Sequence, residues 1–173
     1  MHTLTDKTGI MKKSIFYFLI FMVATLAAPA QHGPHGGSAP GGYKAPSLNA
    51  KYMAELGLGK RKFVKKSDRV WVTDNGIFIY SSHPYGDNIK GFSGATPLFI
   101  AVGRNGKIIS IAPAVNAESP EFWKKLKDAK LFRKWKGLTP AQAAVKKVDA
   151  VSGATYSSTA VIKTVQATAD NIK

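Results

Sequence analysis

The sequence predicts an α+β fold, an antiparallel sheet with helices packed mainly on one face. Two observations lead there. Two pairs of short β-branched and aromatic runs are each joined by a polar turn that ends in Asn-Gly. The second half instead carries helix caps followed by apolar residues at three- and four-residue steps, the period of a helix with one buried face. At 173 residues, 45% hydrophobic and 20% charged, the chain has material for one globular core and too little for two.

Lys12-Lys13 precede an apolar run from Ile15 to Leu26, and Ala28-Pro29-Ala30 place small residues before Gln31. Residues 1–30 therefore read as a secretory signal peptide, with Met11 a candidate start, and the mature protein is expected in the periplasm or otherwise outside the cytoplasm. The apolar run is shorter than the ~20 residues that span a bilayer. The chain has no cysteine, which excludes disulfides, thiolate metal sites, iron–sulfur clusters and thioether-linked haem. Residues 31–46, rich in Gly and Pro, read as a flexible linker, and residues 47–173 as a single domain. His32 and His35 sit in the linker without the further ligands that would fix a metal, so no metal site is expected.

The net charge is +15, and removing the signal takes away only Lys7, Lys12 and Lys13 against Asp6, so the rest stays strongly basic. Lys60-Arg61-Lys62, Lys65-Lys66 and Arg69 are interleaved with Phe63, Val64 and Trp71. In a cytosolic protein that pattern would suggest nucleic acid, but an export signal argues against it. A solvated basic face is expected, with contact to an acidic partner or an anionic membrane surface as its functional alternative.

The elements follow in order. Residues 47–58 read as a short amphipathic helix capped by Ser47 or Asn49, with Leu48, Tyr52 and Leu56 on its inner side and Gly57 and Gly59 ending it. Strands are expected at 70–73 and 77–81 around Asp74-Asn75-Gly76, and at 98–102 and 107–111 around Arg104-Asn105-Gly106. Ser119 caps a helix with Pro120 at its first position. Phe122, Trp123, Leu126, Leu131, Phe132 and Trp135 then form an apolar seam, read chiefly as core. Thr139 and Gln142 frame a capping box, and 148–151 reads as a strand leading to the last helix.

Between them lies Asp149-Ala150-Val151-Ser152-Gly153-Ala154-Thr155-Tyr156-Ser157-Ser158. Gly153 and Ala154 allow close backbone approach, and Ser152, Thr155, Ser157 and Ser158 set hydroxyls beside the unpaired amides that open a helix. The stretch reads as a seat for an anionic phosphate, with an ordinary hydroxyl-capped turn as the plainer alternative. Lys146, Lys147 and Lys163 are candidate counter-charges, or equally solvent-facing.

Asp-x-x-Ser-Gly-Ala-Thr-x-Ser resembles the attachment signature of the FMN-binding domain family, seen in the flavin-bearing subunits of the sodium-pumping NADH:quinone oxidoreductase and of Rnf-type complexes. The resemblance implies FMN joined through its phosphate, by a flavin transferase, to the hydroxyl two places after the Ala-Thr pair. That position is Ser157, where the family usually has threonine. It further implies that Asp149, Ser152, Gly153, Ala154, Thr155, Tyr156 and Ser158 surround the cofactor. A second Ser-Gly-Ala-Thr at 93–96 lacks the preceding Asp and is followed by Pro97 and a strand, so it is not read as an attachment site. The order of elements from Ile89 to Ile111 is similar to the family, as is the Glu118-Ser119-Pro120 segment, which adds Glu118 and Ser119 to the implied flavin site. The likeness covers residues 70–173 and puts the flavin at a strand-to-helix turn after Val151.

The resemblance thus implies an exported electron-transfer flavoprotein with FMN as cofactor, served by a flavin transferase and exchanging electrons with extracytoplasmic or membrane-bound partners. No catalytic triad or catalytic carboxylate pair stands out, so a component of electron transfer is expected more than an independent enzyme. Two alternatives remain open: a basic binding module for an anionic envelope component, and a reductase holding FMN non-covalently.

Overall fold

The computed structural model describes residues 45–173; residues 1–30, read above as a signal peptide, and most of the expected linker lie outside the described residues. The domain opens with helix α1 (Ala50–Glu55) and continues through five strands, β1 (Phe63–Ser67), β2 (Val70–Thr73), β3 (Phe78–Ser81), β4 (Leu98–Val102) and β5 (Ile108–Pro113). Helices α2 (Pro120–Asp128), α3 (Pro140–Val145) and α4 (Thr155–Asp170) follow, with a single 3₁₀ turn at Leu131–Arg133. The sheet order is β1-β2-β3-β4-β5 with every neighbouring pair antiparallel, so the α+β expectation is borne out. No helix among the described residues is long and apolar enough to cross a membrane.

The expected turns drive the hairpins. Gly76 and Gly106 take φ of +75° and +71°, the left-handed conformation that ends each Asn-Gly turn at little steric cost. Strand β4 is buried along its whole length and divides two cores. Leu98, Ile100 and Val102 face α2, α3 and α4, packing with Leu126, Val161 and Val165. Phe99 and Ala101 face α1, against Tyr52, Met53 and Trp71. Three of the four α-helices therefore cover one face and α1 covers the other. A register shift between Ala101 and Val102 lets Ile108 and Ile111, an odd number of residues apart, both join the helix-side core.

Two segments differ from expectation. The basic stretch at 63–67 is the edge strand β1, its lysines exposed and its backbone paired with β2 alone. Its polar composition hid it, since an edge strand buries little and shows weak alternation. Conversely, 148–151 is not a strand. The edge of β5 near Ile108 is already occupied: Ile108 N–H donates to the Leu138 carbonyl and Gly137 N–H to that of Ile108, each at 2.8 Å. Residues 146–151 run instead beside α4, whose side chains take up their polar groups: Gln166 donates to the Lys146 carbonyl at 2.9 Å, and Ser158 Oγ accepts from Val151 N–H at 2.9 Å. The turn at 152–154 is thus entered from irregular backbone rather than from a strand.

Candidate functional site

Three helices begin under a side-chain cap. Asn49 accepts from Tyr52 N–H, Ser119 from Phe122 N–H, and Thr139 from Gln142 N–H in a complete capping box. The fourth, α4, begins at Ala154, which has no side chain able to cap. Its first amides lack a side-chain acceptor and point out of the positive end of a 16-residue helix, where an anion is favoured. Gly153, at φ +71°, makes the turn that brings the chain into this helix.

Ser157 is the third residue of α4 and only 1% exposed, turned toward the interior. Its Oγ–H donates to Oε2 of Glu118, thirty-nine residues away in sequence. Glu118 is itself 7% exposed and stands immediately before the Ser119 cap of α2. The loop before β4 wraps its carboxylate: Ser93 N–H donates to Oε1 at 2.7 Å and Phe92 N–H to Oε2 at 3.3 Å. Glycine at 91 leaves the carboxylate its room, since a Cβ at that position would lie 2.7 Å from Oε1 and push the carboxylate aside.

A cavity of about 300 Å³ opens over Ser157, walled by Phe92, Phe122 and the turn from Gly153 to Tyr156. Phe92 meets Phe122 edge-on with ring centroids 5.5 Å apart, and leans toward Tyr156 at 6.5 Å. Phe92 and Tyr156 are 44% and 61% exposed, aromatic surface left uncovered at the cavity mouth. Lys125, from α2, adds a cation: its Nζ lies 5.9 Å from the Phe122 ring centroid and donates to the Gly153 carbonyl at 3.2 Å. A larger cavity of about 640 Å³ lies near the 103–106 turn, but its walls are mainly apolar (Phe78, Tyr80, Val102, Ile172) and hold no buried nucleophile, so the chemistry is assigned to the smaller one.

The residues singled out from sequence divide clearly. Ser157 and Glu118 touch; Gly153, Ala154, Thr155 and Tyr156 line the cavity. Asp149 and Ser152 are exposed and do not line it. Ser119 serves as the cap of α2. Ser158 is buried and structural, with Oγ accepting from Val151 N–H and donating to the Ala154 carbonyl. Lys146, Lys147 and Lys163 do not line the cavity, and the cation at the turn is Lys125, which the sequence did not single out. The 93–96 repeat contributes through the Ser93 backbone amide, while its Thr96 is buried with Oγ1 3.4 Å from that of Thr164.

Residues 91–170, from the loop that holds Glu118 to the end of α4, match the family model of the FMN-binding domain. This stretch belongs to the FMN-binding domain family. No curated protein and no solved structure matches the chain. The family gives FMN as the cofactor, and the residues of the FMN-binding domain suit its two halves. Phe92, Phe122 and Tyr156 offer flat apolar surface for a ring system, while the uncapped start of α4 and Lys125 offer amides and a cation for a phosphate. Ser157 lines the same cavity.

Proposed function

We propose that this FMN-binding domain is an exported electron-transfer component in which FMN is attached through its phosphate to Ser157. The observation that carries the reading is the position of Ser157: a buried serine lining an aromatic-walled cavity, at the start of the one α-helix among the described residues that lacks a side-chain cap. Bound FMN supplies reversible one- and two-electron redox chemistry that no side chain can provide. The protein's share is to bind and orient: Phe92, Phe122 and Tyr156 would flank the ring, and Lys125 with the α4 amides would meet the phosphate.

Export follows from the signal-like residues 1–30, and retention then explains the tether, because a dissociable cofactor outside the cytoplasm is lost to dilution. Maturation calls for a flavin transferase. The electron donor and acceptor are taken to be extracytoplasmic or membrane-bound, and the exposed lysines of β1 offer a basic edge for an acidic partner or an anionic membrane surface.

The test is the intact mass of the exported, denatured protein beside its Ser157→Ala variant, with flavin fluorescence read in the same denaturing gel. The expected result is an added mass of FMN less water, absent from the variant. A bare mass from a host that flavinylates other proteins would overturn the tether and leave FMN held non-covalently. A fluorescent variant would move the attachment to another residue.

A further inference from the structure

We propose that Glu118 is the proton acceptor for the attachment of flavin phosphate to Ser157, so that this chain brings the general base for its own modification. The inference rests on the reading of Ser157 as the tether. A serine hydroxyl is a poor nucleophile unless a base takes its proton as it attacks. Here the hydroxyl is 1% exposed, and its proton already points at a carboxylate oxygen of Glu118. A base reaching in from a partner enzyme would have to displace that carboxylate first.

The surroundings of Glu118 are those of a positioned group. Two backbone amides, Ser93 and Phe92, fix one oxygen each from the loop side. The Glu118 backbone N–H donates to Asn116 Oδ1 at 3.0 Å, and the residue then runs directly into the Ser119 cap of α2. Gly91 leaves the room its Oε1 needs. The carboxylate and the hydroxyl thus come from separate elements, one just ahead of α2 and one in the first turn of α4, and meet in the protein interior.

The chemistry closes as follows. FMN itself carries no leaving group other than hydroxide, so the phosphate must arrive activated, as a flavin phosphate in pyrophosphate linkage to a nucleotide. Ser157 Oγ forms the new O–P bond and the bridging P–O bond breaks. The nucleoside monophosphate departs with that electron pair, and the Oγ proton passes to Glu118. No electrons are gained or lost by the flavin ring.

The experiment incubates the purified mature chain with flavin adenine dinucleotide and a purified flavin transferase, and follows intact mass with time across a range of pH. Glu118→Gln is expected to slow incorporation by about 100-fold or more, within the usual contribution of a general base. Its rate should also lose the pH dependence shown by the parent chain; because an NH2 would then face the Ser93 or Phe92 amide, circular dichroism and Tm are read alongside to show that the variant folds. If that variant folds poorly, Glu118→Asp should retain part of the rate, and added formate should accelerate Glu118→Ala. Incorporation into Glu118→Gln at the parent rate, or slowed with the parent's pH profile intact, would overturn the role of Glu118 and leave the tether standing. A parent chain that never gains mass would instead overturn the tether, and this inference with it.

Discussion

The backbone N–H of Val151 donates to Oγ of Ser158 at 2.9 Å, and that hydroxyl donates in turn to the carbonyl of Ala154 at 2.8 Å. One buried side chain thereby closes the turn that delivers Ser157 to the cavity. Ser158→Ala leaves the Val151 amide without its partner, which costs about 1–3 kcal/mol when the group stays out of water. In urea denaturation the variant should show a lower midpoint with an unchanged slope. A midpoint equal to the parent's would show that the turn holds without this staple.

Lys125 should matter to binding more than to folding. It is exposed, and its Nζ hydrogen-bonds only a carbonyl at the turn, a contact that an incoming phosphate would replace. In a Ser157→Ala background, where FMN can associate but not attach, Lys125→Ala is expected to weaken binding about two- to fivefold, the scale of an exposed ion pair. The loss should shrink as salt is raised. Fluorescence titration at two ionic strengths reads both effects.

Phe92 offers a different signature. It is 44% exposed and packs edge-on against Phe122, so its removal costs the apo fold little. If it flanks the ring, Phe92→Ala should raise the fluorescence of the attached flavin and leave the added mass unchanged. Unaltered emission would place the ring elsewhere.

Tyr80 sets an alkaline limit on stability. Burial raises its phenol above the usual tyrosine value, with the Arg69 charge opposing in part. A group whose folded pKa lies above its unfolded value contributes stability at lower pH and loses it as pH rises through the folded pKa. Stability should therefore decline at strongly alkaline pH, and Tyr80→Phe should flatten that limb while leaving neutral stability nearly unchanged. Thermal melts of both proteins across the alkaline range check this.

Much of the fold was legible because its signals are local. Asn75-Gly76 and Asn105-Gly106 make their turns from their own backbone preferences, and Ser119-Pro120 and the Thr139–Gln142 box announce helix starts within four residues. Illegible were the features decided across the fold. Residues 148–151 have strand composition but no free sheet edge, because Gly137 and Leu138 take the outer side of β5 near Ile108. Strand β1 has the composition of a solvated loop and is ordered by β2. At the site, the serine could be named from its motif, but not its contact with Glu118 or the reach of Lys125 across from α2. The 93–96 repeat makes the same point: letters identical to the attachment motif serve here through a main-chain amide, on which sequence is silent.

The burial of Ser157 bears on how long a cofactor joined there would last. A phosphodiester on a hydroxyl that is 1% exposed, beside aromatic side chains and inside the first turn of a packed helix, would be shielded from hydrolysis by water. Its lifetime would be set by the unfolding rate of the domain and no longer by a binding equilibrium. Each molecule would be charged once, at maturation, and its flavin recovered only when the chain itself is degraded.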